Sequence, residues 1–180
     1  MLIPRLQANV VVDQSGRALL TEYGLAPINF GPSFTESATA GVIGACRWLA
    51  PEIISTSSED NNMESKPADV FSFAMLAVEV FTGRVPFEGR KNEVVMFFVS
   101  QGGRPEMPAH AQVVGLTAKV WTLLESCWEQ DPERRPTMEE VVDGWQKLVG
   151  HSDDNITVTR CVHIALVIRT PSPVSFSIFS

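Results

Sequence analysis

A mainly α-helical domain opening on a small β-hairpin is the fold class the residues predict, and three observations carry it. Val70, Phe71, Phe73, Ala74, Leu76, Ala77, Val78, Val80 and Phe81 cover almost every side of one helix. Two later stretches, Leu116 to Trp128 and Met138 to Leu148, repeat apolar residues at helical spacing. Ahead of them, the short β-branched or apolar runs Asn9–Asp13 and Arg17–Leu20 flank Asp13-Gln14-Ser15-Gly16.

The hairpin follows from that turn, because Asp opens it and Gly accepts positive φ at little cost. From Gly24 to Ala50 the composition shifts to Gly, Pro, Ser, Thr and small residues without periodicity, which predicts a long loop. Pro51-Glu52 reads as a short helical turn. Ser55 to Lys66 has no apolar face and reads as a solvated linker. Pro67 then suits a first helical turn, where its missing N–H costs nothing. The helix it opens is apolar on nearly every side, hence buried, and Gly83 ends it by tolerating a left-handed conformation.

Further along, Asn92 to Ser100 predicts another helix, stopped at Gly102-Gly103-Arg104-Pro105. Asp131-Pro132 breaks the helix over Leu116 to Trp128. After Pro136 a last helix places Met138, Val141, Val142, Trp145 and Leu148 on one face, and Thr137 with Glu140 has capping-box spacing. Residues 151–180 form a separate, unassigned extension: Cys161 to Ile168 is a short apolar run that Thr170 to Pro173 breaks. An added strand, a disordered tail, a lineage-specific extension and a mistranslated end of a gene model all fit it.

Composition excludes several functions. The 180 residues are 44% apolar, enough for one domain with a sizeable core. A net charge of −7, with basic residues scattered as Arg84, Arg90, Lys91, Arg134 and Arg135, argues against a nucleic-acid partner. Cys46, Cys127 and Cys161 are odd in number and far apart, and His110, His151 and His163 lack ligand spacing, so neither a disulfide framework nor a zinc site is predicted. No apolar run approaches the roughly 18 residues of a membrane span, and residues 1–12 do not read as a signal peptide. The expected location is cytoplasmic or nuclear.

Arg47–Phe87, which includes RWLAPEII and KPADVFSFAMLAVEVFTGRVPF, together with CWEQDPERRPTM at Cys127–Met138, resembles the C-terminal (large) lobe of a protein kinase, nearest the tyrosine-kinase-like Ser/Thr group. The resemblance covers about Asn9 to Gly150, so residues 1–150 are expected to be a partial kinase-like domain, a helical C-lobe bundle with the small lobe missing. It implies ATP-dependent phosphoryl transfer to protein Ser or Thr in signalling, with ATP and Mg as cofactors.

Such chemistry needs positioning and charge cancellation more than covalent work. The Gly-rich loop and strand Lys of a small lobe do not precede the hairpin. Asn9 matches the metal-binding Asn of the catalytic loop. The base Asp stands five residues before that Asn in the family, and here that position is Pro4, which has no proton-accepting side chain. Leu6 takes the place of the basic residue two positions further on. Glu22-Tyr23-Gly24 stands where the family has Asp-Phe-Gly, so Asn9 and Glu22 are the candidate metal and nucleotide ligands. Leu25 to Trp48 takes the place of an activation segment, with Ser33, Thr35, Ser37 and Thr39 as candidate phosphorylation sites and Ala45 where the group often has Thr.

The structural marks of the lobe are retained. Glu52 and Arg135 match an ion pair that, in the family, ties the end of the activation segment to the loop before the last helix. Asp69 matches the Asp that holds the catalytic-loop backbone, and Trp128 resembles a packing residue beside the pair. Three readings follow: an active kinase, a non-catalytic kinase-like module, and an incomplete gene product. The residues favour catalytic silence, with a protein partner, a missing small lobe or self-association covering the apolar surface that a small lobe would meet.

Overall fold

The computed structural model describes residues 10–12, 18–20, 45–55, 65–109, 111 and 115–149. Strands β1 (Val10–Val12) and β2 (Ala18–Leu20) pair antiparallel, with Val10 opposite Leu20, Val11 opposite Leu19 and Val12 opposite Ala18. The intervening turn and residues 151–180 lie outside the described residues.

Helix α1 is Pro51–Ser55, extending beyond the Pro51-Glu52 reading, and Ser55 closes it by donating its hydroxyl to the Pro51 carbonyl at 2.8 Å. Helix α2 is Lys66–Thr82. The Ser65 hydroxyl accepts from the Ala68 N–H at 3.1 Å, which satisfies one of the donors a helix start leaves open. Ser65 and Lys66 thus belong to the cap and first turn of α2, not to the linker predicted up to Lys66. Gly83, at φ 66, ends the helix and donates its N–H to the Glu79 carbonyl at 2.7 Å.

Helix α3 is Asn92–Ser100 and α4 is Ala118–Cys127, which the Thr117 hydroxyl caps by accepting from the Val120 N–H. The break at Asp131-Pro132 is a 3-10 turn over Pro132–Arg134, capped in turn by the Asp131 side chain. Helix α5, Met138–Val149, starts on a complete capping box: the Thr137 N–H reaches the Glu140 carboxylate at 2.7 Å and the Glu140 N–H reaches the Thr137 hydroxyl at 3.3 Å.

The core is organised around α2, which is buried from Ala68 to Phe81 except on one side. Helix α4 packs on α2, α5 packs on α4, and α3 packs on α1. Trp145 of α5 is enclosed by Phe73, edge-on at 5.6 Å, and by Phe81, stacked at 6.2 Å. Trp121 and Trp128 meet edge to face at 5.3 Å. Segment 45–50, buried apart from Arg47, lies against this core.

Candidate functional site

Segment 45–50 leads into α1 and is anchored by side-chain hydrogen bonds to α2. The Trp48 indole donates to Glu79 Oε2 at 3.0 Å, and the Ser72 hydroxyl donates to the Trp48 carbonyl at 2.7 Å. Ser72 and Glu79 both sit on α2, so two polar residues on a buried apolar helix hold the segment from beneath. Glu79 is 2% exposed, and its other oxygen, Oε1, is buried without a hydrogen-bond partner. Burial raises its pKa above the usual carboxylate value, and the Trp48 hydrogen bond opposes that only in part.

One turn further on, Glu52 of α1 meets Arg135. The guanidinium grips both carboxylate oxygens, Nη1 to Oε1 and Nη2 to Oε2, each at 2.7 Å. Nη1 also donates to the Pro67 carbonyl and Nε to the Glu129 carbonyl, both at 2.9 Å. The loop before α5, the start of α2 and α1 are therefore joined at one side chain. Such a planar fork is the property that separates Arg from Lys.

The Arg135 and Arg104 guanidinium groups each lie 5.1 Å from the centroid of the Phe71 ring. Arg104 donates from Nε to the Trp128 carbonyl at 2.6 Å, from Nη1 to the carbonyls of Val99 and Gly103, and from Nη2 to Gln130 Oε1. Burial, followed by the neighbouring Arg135 charge, lowers its pKa. Two cations thus share one aromatic ring; Arg135 is neutralised by Glu52, and backbone carbonyls accept from both guanidinium groups.

The sequence-derived positions divide into two groups. Glu52, Asp69 and Arg135 are within the described residues: the first and third form the clamp, and Asp69 stands in the first turn of α2. Pro4, Asn9 and Glu22 lie outside them, as do Ser33, Thr35, Ser37 and Thr39. Sequence reading missed Glu79, Arg47 and Arg104. For Glu79 a signal existed, an acid inside a helix that is otherwise apolar all round. Arg104 carried none, because a single Arg beside Pro105 reads as a loop cation.

ATP and magnesium are the ligands the resemblance implies, through Asn9 and Glu22. Among the described residues, no group of three or more His, Cys, Asp or Glu side chains could hold a metal ion. Among the same residues, no helix is long and apolar enough to cross a membrane.

Fold and clamp together define a helical scaffold that fastens one loop segment over a buried central helix. Residues 6–144 match the family model for protein tyrosine and serine/threonine kinases, which is well over half of the sequence. The chain belongs to that family. It is 30% identical over 150 residues to serine/threonine-protein kinase STY17 of Arabidopsis thaliana, covering 82% of this chain and 24% of that protein. Receptor-interacting serine/threonine-protein kinase 4 of Mus musculus is 29% identical over 158 residues, or 83% of this chain and 19% of that protein. A light-sensor protein kinase of Ceratodon purpureus is 40% identical over 105 residues, 52% of this chain and 8% of its own length. The chain spans a quarter or less of each of these relatives.

Proposed function

We propose that this chain carries the large-lobe scaffold of a tyrosine-kinase-like Ser/Thr kinase and does not itself transfer phosphate. Kinases of the family move a phosphoryl group from ATP with magnesium, and a carboxylate in the catalytic loop accepts the substrate hydroxyl's proton. The observation that carries the reading is Pro4. Counted from Asn9, it takes the position of that carboxylate and can accept no proton. Glu22, in the place of an Asp, is one methylene longer, and a displacement of about 1 Å at a reacting centre costs on the order of 10²-fold in rate. The Glu52–Arg135 clamp and the buried α2 support retention of the scaffold.

The purified chain should move no labelled phosphate from ATP to a generic protein substrate, with magnesium present, above the no-protein background. Transfer that survives repurification and is lost on Asn9→Ala would overturn the reading. A thermal melt with millimolar Mg·ATP examines nucleotide binding separately, because a ligand that binds only the folded form raises stability with occupancy.

A second reading, a non-catalytic interaction module, is favoured by one observation. Helix α3 exposes Phe97 by 70% and Val94 by 49%, and Met107 is also exposed in the segment beyond it. Large apolar side chains grouped at the surface mark partner sites more often than isolated ones do. Sedimentation would decide this reading: a monomer at all concentrations, unchanged by Phe97→Ser, counts against self-association.

A further inference from the structure

In the otherwise buried segment 45–50, Arg47 alone is half-exposed, and its guanidinium is spent on the turn between α2 and α3. Nη1 donates to the carbonyls of Pro86 at 2.8 Å and Phe87 at 2.9 Å, and Nη2 donates to the carbonyl of Arg90. All three acceptors lie within five consecutive residues. Phe87, in their midst, sits at φ 57, and it is the only non-glycine residue with positive φ among those described. A bulky side chain in the left-handed region is strained and persists only where its surroundings over-determine it.

Three contacts do so here. Besides Arg47, the Phe87 ring meets Phe98 of α3 edge to face at 5.8 Å, and the Arg90 guanidinium lies 4.2 Å from the centroid of the same Phe98 ring. Phe98 is in turn pressed against the backbone at Gly103, where an added Cβ would come within 2.3 Å of its ring. The turn itself is poorly buried, since of residues 83–90 only Pro86 is buried. Its shape is therefore set from its two sides, by Arg47 and by Phe98.

The geometry points to a mechanical latch, in which Arg47 couples segment 45–50 to the 86–90 turn and Phe98 props the turn from the other side. Loosening either side loosens the other. Segment 45–50 runs directly into α1, so Arg47 ties that junction to the turn before α3. The latch is independent of whether the chain transfers phosphate. A lysine at 47 keeps the charge but cannot fork among three carbonyls.

Hydrogen exchange on the full chain, read by mass spectrometry, tests it in both directions, because coupling between two sites is reciprocal. Arg47→Ala should raise exchange across residues 86–95, which include the amides of Arg90 and Val95, by roughly tenfold, within the ~5–150-fold range of coupled sites. Amides of α5 should not change. Gly103→Ala, which displaces Phe98, should raise exchange at the Trp48 amide in segment 45–50. Wild-type rates over 86–95 in Arg47→Ala, or a Gly103→Ala effect confined to 86–103, would overturn the latch. A rise spread evenly over α5 as well would also overturn it, as plain global destabilisation. Should Arg47→Ala fail to fold, Arg47→Lys takes its place: faster exchange over 86–95 supports the latch, and wild-type rates refute it.

Discussion

Arg135 offers five N–H groups and makes four hydrogen bonds, two of them to Glu52, with its side chain fully covered and that of Glu52 27% exposed. Removing the carboxylate strands a buried cation, which typically costs about 3–5 kcal/mol, and the exposure of Glu52 places this pair near the lower end. For a chain of this size each kcal/mol moves the melting temperature by about 2–4 °C, so Glu52→Ala should lower it by roughly 6–12 °C. A double-mutant cycle with Arg135→Met should show coupling above about 1 kcal/mol, and additive losses would show that the pair is not a unit. Glu79 gives a pH-dependent case of opposite sense. Its folded pKa is raised, so the folded state holds its proton to higher pH than the unfolded chain does. Ionised Glu79 therefore penalises folding, fully above its raised pKa and not at all below the ordinary value near 4.5. Glu79→Gln keeps an acceptor for Trp48, and its melting temperature should rise relative to the parent as pH increases from 4.5. A constant difference across pH would refute this.

Among the elements, the caps at Gly83 and Thr137 were legible, because a cap is local chemistry, whereas those at Ser65 and Thr117 were not. Thr137 and Glu140 satisfy each other's backbone N–H groups as their three-residue spacing required. Thr137→Ala should cost about 0.5–2 kcal/mol in chemical denaturation, with an unchanged denaturant slope. A loss under ~0.3 kcal/mol would mean that α5 is held by Trp145 and not by its first turn. Helix α3 was legible to the residue, and Gly83 closes α2 where predicted. The misread boundaries have a common cause. Leu116 and Trp128 are buried and apolar like the helix between them, so periodicity took them into α4, whereas the Thr117 cap sets its start. Ser65 and Lys66 looked like linker because polarity alone does not separate a cap from a loop.

Over the whole molecule, the core closes on thiols as well as on aromatic rings. Cys46 and Cys127 are fully buried, and burial pushes the Cys127 thiol up to about 12, so almost no thiolate exists at neutral pH. Alkylation of both cysteines, mapped by peptide, should follow global unfolding with denaturant. Modification of Cys127 at native conditions at the rate of a free thiol would show that the helices open locally. The large apolar surface of α2 makes such opening costly, since each fully buried Phe or Leu contributes about 1.5–3 kcal/mol.

From residue order alone came the helical class, the burial of α2, the caps at Gly83 and Thr137 and the family, because each depends on spacing within about one turn or on motifs read along the chain. The Glu52–Arg135 spacing was also legible, though only through resemblance, since the two residues stand 83 positions apart. Tertiary structure alone revealed that Glu79 reaches Trp48, that Arg104 and Arg135 share Phe71, and that Arg47 crosses to the 86–90 turn. Those contacts join residues far apart in the chain, and an arginine or glutamate has the same composition and hydropathy whether it points to water or to a carbonyl brought close by folding.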